Sequence, residues 1–393
     1  MPFGVYIHFP YCRKRCPYCD FATHARERIP HERYARAVVD ELRARAPLYP
    51  GRRLRSIYFG GGTPGLWRVD CLAEVLTEIR RTFATDDAVG GEPEITVECN
   101  PGELPDEQLG ALRAAGVNRL SLGVQSLEPR HLVTLGRLHG ADEPRDAVRR
   151  ARAAGFDNLS LDLMFGLPSQ TLAELDRDLD GLLALAPEHL SIYNLTVEER
   201  TPFGAMQRQG TLLLPDAGLV AEMYELVDTR ARAAGYEHYE ISNFARPGRR
   251  AVHNTLYWAG GEYLGLGSSA HSHRLLPDGR GERFATVRSV DDYLRVVERA
   301  GSTPALADDP ALAMHEELTA DALEREGMWL GLRLLDGVAR ADHAARHGAD
   351  PAARHAAELA RLTDEGLVEL TPDLIRLTRR GVLFADEVGA RFL

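Results

Sequence analysis

Lysine is all but missing from this chain. Lys14 is the only one, and arginine carries every other basic side chain. With the abundant alanine, this bias points to a GC-rich genome and says nothing about function. Basic charge is in deficit as well. The 47 Lys plus Arg face 58 Asp plus Glu, a formal charge of −11, which argues against a broad nucleic-acid-binding surface. Long apolar runs are absent, so no segment reads as a transmembrane helix. Cysteine is scarce: there are five, in no paired framework, which points to a reducing cytoplasm. No secretory signal peptide is expected, because the apolar start runs straight into a cysteine loop. The remainder is ordinary globular composition, 44% hydrophobic and 27% charged over 393 residues, enough for two or three domains.

Three of the five cysteines stand together in Tyr11-Cys12-Arg13-Lys14-Arg15-Cys16-Pro17-Tyr18-Cys19. Three thiolates on one short loop can hold three irons of a 4Fe–4S cluster and leave the fourth iron open to a small molecule. Zinc is the rival reading, but structural zinc takes four ligands, usually as two separated pairs. The nearest further candidate is His24, while Cys71 and Cys99 lie far off and alone. A disulfide would need an oxidising compartment.

Apolar β-type runs alternate with helical stretches. Strands are expected at Val5–Phe9, Ser56–Phe59, Glu94–Cys99, Arg119–Gln125, Leu159–Phe165 and His189–Val197. Helices are expected at Glu32–Arg45, Val69–Phe83, Asp106–Ala115, Asp142–Ala154 and Thr171–Leu185. This alternation predicts an α/β fold, an incomplete (β/α)6 barrel over residues 1–200. Chemistry in such barrels sits on loops after the strand C-termini, where the cysteines, Gly60-Gly61-Gly62-Thr63-Pro64, Glu98, Gln125 and Asp162 all fall. Residues 201–305 read as a barrel-extending connection. It holds a helix at Pro215–Ala234, a strand-like Tyr236–Phe244 and a helix at Ser289–Ala300. Gly301-Ser302-Thr303-Pro304 reads as a linker. Residues 306–393 predict a small winged-helix-like unit, with helices at Ala311–Glu326, Ala339–His347 and Ala352–Glu365, a hairpin at Leu367–Leu377 and a final helix.

Singly, the polar residues at strand ends read as caps or surface ion pairs. Asp162 stands apart, since it interrupts the apolar run Leu161-Asp162-Leu163 and a buried aspartate needs partners. His253-Asn254-Thr255-Leu256-Tyr257-Trp258 packs an imidazole, an amide and two large aromatics into six residues. By itself it reads as a packing segment. His271 and His273 read as loop histidines, and His343 and His347 as surface residues.

Tyr6-Ile7-His8-Phe9-Pro10-Tyr11-Cys12, the CxxxCxxC loop, Gly60–Pro64, Glu98-Cys99-Asn100-Pro101, Gly123–Ser126, Leu135–His139 and Asp162–Thr171 together resemble the oxygen-independent coproporphyrinogen dehydrogenase family of radical S-adenosylmethionine (SAM) proteins. The likeness runs to Leu377-Thr378-Arg379-Arg380-Gly381. Phe21 stands where the decarboxylating branch has a fourth cysteine, and that branch's N-terminal extension is missing. The Cys-Asp-Phe ending and the HNxxYW segment resemble the haem-chaperone branch. The resemblance implies that Cys12, Cys16 and Cys19 ligate a 4Fe–4S cluster. It implies SAM contacts from Tyr6, Tyr18, Gly61, Gly62, Thr63, Glu98, Gln125, Arg137, Asp162 and His271, and haem handling by His253 with Asn254, Tyr257 and Trp258.

It further implies a cytoplasmic protein that takes haem as cargo. Its partners would be an electron donor for the cluster and apo-haemoproteins such as respiratory enzymes, with at most peripheral membrane association. The alternative is a radical SAM oxidative decarboxylase acting on coproporphyrinogen. A winged-helix nucleic-acid binder is disfavoured, because residues 306–393 hold 10 Arg against 17 Asp plus Glu and would repel phosphate. Anaerobic reconstitution is expected to load about four irons and four sulfides per chain. Iron and sulfide assays of the Cys12/Cys16/Cys19→Ala variant should show that content lost.

Overall fold

The computed structural model describes residues 2–86, 91–299 and 306–393. The linker expected at Gly301–Pro304 lies outside them. Six strands pair in parallel in chain order: β1 (Pro2–Phe9), β2 (Arg53–Gly61), β3 (Glu94–Cys99), β4 (Arg119–Gln125), β5 (Leu159–Phe165) and β6 (His189–Asn194). Helices α1 (His31–Arg45), α2 (Val69–Thr82), α3 (Asp106–Ala114), α4 (Glu143–Ala153) and α5 (Leu172–Ala184) alternate with them. Within α2 the buried side chains are Cys71, Leu72, Val75, Leu76 and Ile79, the one-sided spacing of a helix laid on a sheet. Helix α5 begins with a capping box, Thr171 with Glu174, which satisfies two N-terminal amides.

Side-chain alternation sorts the strands into two faces. Val5, Ile7, Phe9, Ile57, Phe59, Ile95, Val97, Leu120, Leu122, Leu159, Leu161, Leu190 and Ile192 join one hydrophobic core with the helices. The other face is polar and equally buried: Ser56, Thr96, Arg119, Ser121, Ser160 and His189 are at most 5% exposed. Serines and histidines satisfy one another there, as in Ser160 Oγ···His189 Nδ1 at 2.8 Å and His189 Nε2···Tyr239 OH at 2.8 Å. Asp162 therefore does not interrupt a core strand. It sits in this polar layer.

The sheet extends at both edges. Beyond β6 lie β8 (Asn243–Ala245) and β7 (Glu237–Glu240). On the other side β9 (Glu262–Leu266) pairs in parallel with β1, followed by antiparallel β10 (His271–Leu275), β11 (Gly281–Thr286) and β12 (Leu312–Leu318). The twelve strands make one sheet. The helix expected at Ala311–Glu326 is corrected. Its first half is β12, drawn into a strand by pairing along β11, and the helix begins only at Ala320, where Thr319 accepts a hydrogen bond from the Ala322 N–H. Helix-favouring residues lose here to tertiary pairing. The large sheet thus continues past residue 306, to Leu318.

The winged-helix-like unit follows. It has helices Ala320–Gly331, Arg340–His347 and Ala356–Asp364, then a hairpin of Val368–Leu370 with Leu374–Leu377. It has its own core, with Met328, Leu359, Leu362, Ile375, Val388 and Phe392. No helix among the described residues is long and apolar enough to cross a membrane.

One buried carboxylate joins the barrel to the extension. Glu41 of α1 accepts from Arg45 Nε at 2.9 Å, from the Gly267 N–H at 2.8 Å and from the Tyr293 hydroxyl at 2.8 Å. Arg45 in turn reaches Asp309 at 3.0 Å. Glu41→Ala would leave the buried guanidinium with Asp309 as its one carboxylate and two donors unpaired. A loss of about 3–5 kcal/mol of unfolding free energy is expected from chemical denaturation.

Candidate functional site

The cysteines lie on the loop after β1, all three half-buried. The neighbouring loops close on it through glycine. A Cβ on Gly62 would stand 2.6 Å from the Tyr11 carbonyl oxygen, and one on Gly136, where φ is +67°, 2.9 Å from Pro17. Thr63 donates its hydroxyl to Cys12 Sγ at 3.6 Å, and Arg137 Nη1 points at Cys16 Sγ at 3.9 Å. Burial pushes the Cys12 thiol up to about 11, and it raises Cys19 too. Among the described residues no three His, Cys, Asp or Glu converge to hold a single metal ion. A 4Fe–4S cluster takes one thiolate per iron, so its donors must share a loop and not a point. Three half-buried thiols on one loop, with hydroxyl and guanidinium donors aimed at two of the sulfurs, fit such a group.

Behind the loop the strand ends present a row of polar side chains. Glu98 accepts from the Tyr58 hydroxyl at 2.8 Å and from the Gly61 N–H at 3.0 Å. Asp162 accepts from Ser121 at 3.1 Å. Burial pushes Glu98 up to about 7 and Asp162 up to about 6, with nearby Asp162 adding to the Glu98 shift. Gln125 ends β4 at φ +68°, a conformation rare outside glycine. Its Oε1 accepts from Tyr193 at 2.8 Å. Arg137 Nη2 is held by Asn100 Oδ1 at 2.5 Å and the Gly123 carbonyl at 2.7 Å. A guanidinium has five N–H donors, so others stay free. Tyr18 packs beside Phe203, ring centroids 6.3 Å apart, and is an electrostatic neighbour of Arg137 and Tyr193 in this row.

Next to the row opens a cavity of about 1230 Å³. Tyr6, His8, Gly61 and Glu98 form its floor, β10 and β11 one wall, and the helices Ala320–Gly331 and Arg340–His347 the other. Phe21, 66% exposed, stands at its edge. His8 was not singled out by sequence. Its Nε2 donates to the Ala22 carbonyl at 3.0 Å, so its Nδ1 accepts from Tyr6 at 3.0 Å, and burial pushes its pKa down to about 4. The signal was strand alternation, which puts Tyr6 and His8 on one face.

The HNxxYW segment forms a short helix, Val252–Trp258. Tyr257 and Trp258 line the cavity. His253 does not: it is 1% exposed, with Nδ1 on the Ser56 hydroxyl and Nε2 on the Tyr257 hydroxyl, both at 2.8 Å. An iron ligand needs an uncommitted ring nitrogen, and His253 has none. Its expected place as a haem contact gives way to that of a brace behind the cavity wall. His271 does face the cavity. His343 and His347 are not surface residues. His343 is buried against Glu324 at 3.2 Å, and His347 lines the cavity.

Known proteins share this architecture. The signature of the radical SAM superfamily matches residues 6–182, and that of the HemN C-terminal domain matches residues 318–384. The chain is 36% identical to the haem chaperone HemW of Bacillus subtilis, over 99% of each chain. It is 39% identical to the haem chaperone HemW of Escherichia coli, over 100% of this chain and 98% of the relative. The solved structure of Escherichia coli coproporphyrinogen III oxidase (HemN), a radical SAM enzyme, superposes with a TM-score of 0.83, covering 100% of this chain and 90% of that one. At 24% identity that likeness speaks to fold alone.

The raised Glu98 carboxyl carries a sign. An acid whose folded value lies near 7, above its unfolded 4.5, favours the folded state fully below the unfolded value. That favour is lost as pH rises through about 7. Glu98→Gln removes the cost of burying the anion. Its melting temperature should exceed the parent's by a margin that widens from pH 5 to pH 8 in calorimetry.

Proposed function

The chain belongs to the HemW family within the radical SAM superfamily, and from that premise we propose that it is a haem chaperone. It carries a 4Fe–4S cluster and SAM, binds haem, and passes it to apo-haemoproteins. The observation that carries this reading is the cavity. It abuts the Glu98 row directly and is larger than the 300–1,000 Å³ of ordinary ligand pockets. Tyr257, Trp258, Tyr263 and Trp329 line it, and aromatic rings of this kind can face a macrocycle.

Cys12, Cys16 and Cys19 would hold the cluster. When bound, the cluster with SAM supplies one-electron chemistry at the sulfonium. The chain's own groups bind and orient. Gly61 and Gly62 let backbone approach SAM closely, and the free donors of Arg137 suit a carboxylate. Glu98, Gln125 and Asp162 offer acceptors to ribose hydroxyls. Thr63 and Arg137 donate toward thiolate sulfurs and thereby favour the deprotonated, ligating form. Acceptors such as respiratory enzymes and an electron donor belong to this reading, as does action in the cytoplasm.

The test is a pair of anaerobic assays on reconstituted protein. Haem titration should give stoichiometric uptake, and incubation with coproporphyrinogen and SAM should give no tetrapyrrole product. Product formation without haem uptake would overturn the reading.

A further inference from the structure

One histidine of the cavity wall has one ring nitrogen committed and the other buried without a partner. His273, on β10, is 7% exposed and lines the cavity. Its Nδ1 lies 3.3 Å from the Gly261 carbonyl, to which it donates. That bond fixes the tautomer and leaves Nε2 as a bare lone pair. Nε2 is buried and has no hydrogen-bond partner. A buried acceptor without a partner is uncommon and calls for a reason. Histidines that bind metals commonly donate the other ring nitrogen to a backbone carbonyl in this way. The neighbouring histidines differ: both ring nitrogens of His8 and of His253 are committed within the protein.

A second unpartnered group lies close along the chain. The indole Nε1 of Trp258 is buried without an acceptor. Arg346, from the opposite wall, donates to the Ala259 carbonyl, one residue on. Arg346 makes no ion pair with any described carboxylate, whereas Arg280 and Arg283 in the same lining are paired with Glu317 and Glu326. The turn Trp258–Gly261 thus carries a bare imidazole nitrogen on one side. On the other it carries an indole donor and a guanidinium without a counter-charge.

We infer that this turn is the centre of the haem site: His273 Nε2 ligates the iron, and Trp258 Nε1 with Arg346 receives a propionate. The assignment rests on the haem-chaperone reading and deepens it. It makes the HNxxYW segment a scaffold. His253 braces from behind, and the turn after Trp258 aligns the residues that touch haem. Nitrogen donation from imidazole to haem iron is ordinary axial ligation, and a guanidinium suits a carboxylate.

Haem titration of the full chain, read as a difference spectrum against the same protein without haem, tests this. His273→Ala should lose the parent's ligand-dependent Soret position and bind at least tenfold more weakly, and added imidazole should restore the band. His273→Asn puts an amide donor where Nδ1 stands and so keeps the bond to Gly261 without a lone pair at the Nε2 position, which secures the comparison should the alanine variant not fold. Arg346→Gln should weaken binding with the band unmoved. A His273→Asn protein with parental spectrum and affinity would overturn the ligand assignment alone. A parent chain that takes up no haem would overturn the chaperone reading with it.

Discussion

Glu41 is 3% exposed, and every donor it engages comes from a different place in the chain. One turn pair earlier on α1, the Tyr34 hydroxyl donates to the His8 carbonyl at 2.6 Å and accepts from the Ser268 N–H at 3.2 Å. Glu41 and Tyr34 stand seven residues apart and so share one face of the helix. Between them they clamp the end of β1, which leads into the cysteine loop, to the end of β9, which leads into β10 and its histidines. The cysteine loop and the cavity wall are therefore set by the same helix. A buried anion is costly. Here it is matched by a buried arginine and two further donors, so the joint has one geometry.

The inner face of the barrel exacts a second cost. Six-stranded barrels can fill their interior with aliphatic side chains, but this one fills it with Ser56, Thr96, Ser121, Ser160, Asp162 and His189. Burial drives the carboxyls of Glu98 and Asp162 upward and the imidazoles of His8 and His253 downward. All four shifts favour the uncharged form. The interior is rich in hydrogen-bonding groups, and its permanent charge is the guanidinium of Arg119 with that of Arg137 at the strand ends, a setting suited to a polar, anionic ligand.

Much of this was legible in the sequence. The six parallel strands, the five helices beside them and the cysteine loop fall where periodicity and punctuation put them, because each pattern is local. The failures share a cause. Leu312–Leu318 has helix-forming residues and becomes a strand only because β11 offers an edge. His347 reads as a surface residue until the fold brings another wall against it. His253 stands in the most conspicuous motif of the chain, yet it touches Ser56, 197 residues away, and is used up there. The signal in His273 is a missing bond, which no sequence pattern records.

The cavity lies between two separate hydrophobic cores. Its floor and one wall belong to the sheet, and Leu323, Leu330 and His347 belong to the C-terminal helices. Occupancy and the union of the two bodies are then thermodynamically linked. Whatever fills the gap tightens their association by its own binding free energy, and whatever prises them apart lowers affinity by the same amount. On the haem-chaperone proposal, a recipient that bound the C-terminal helices better when displaced would open the cleft without competing for its contents, and docking would become delivery.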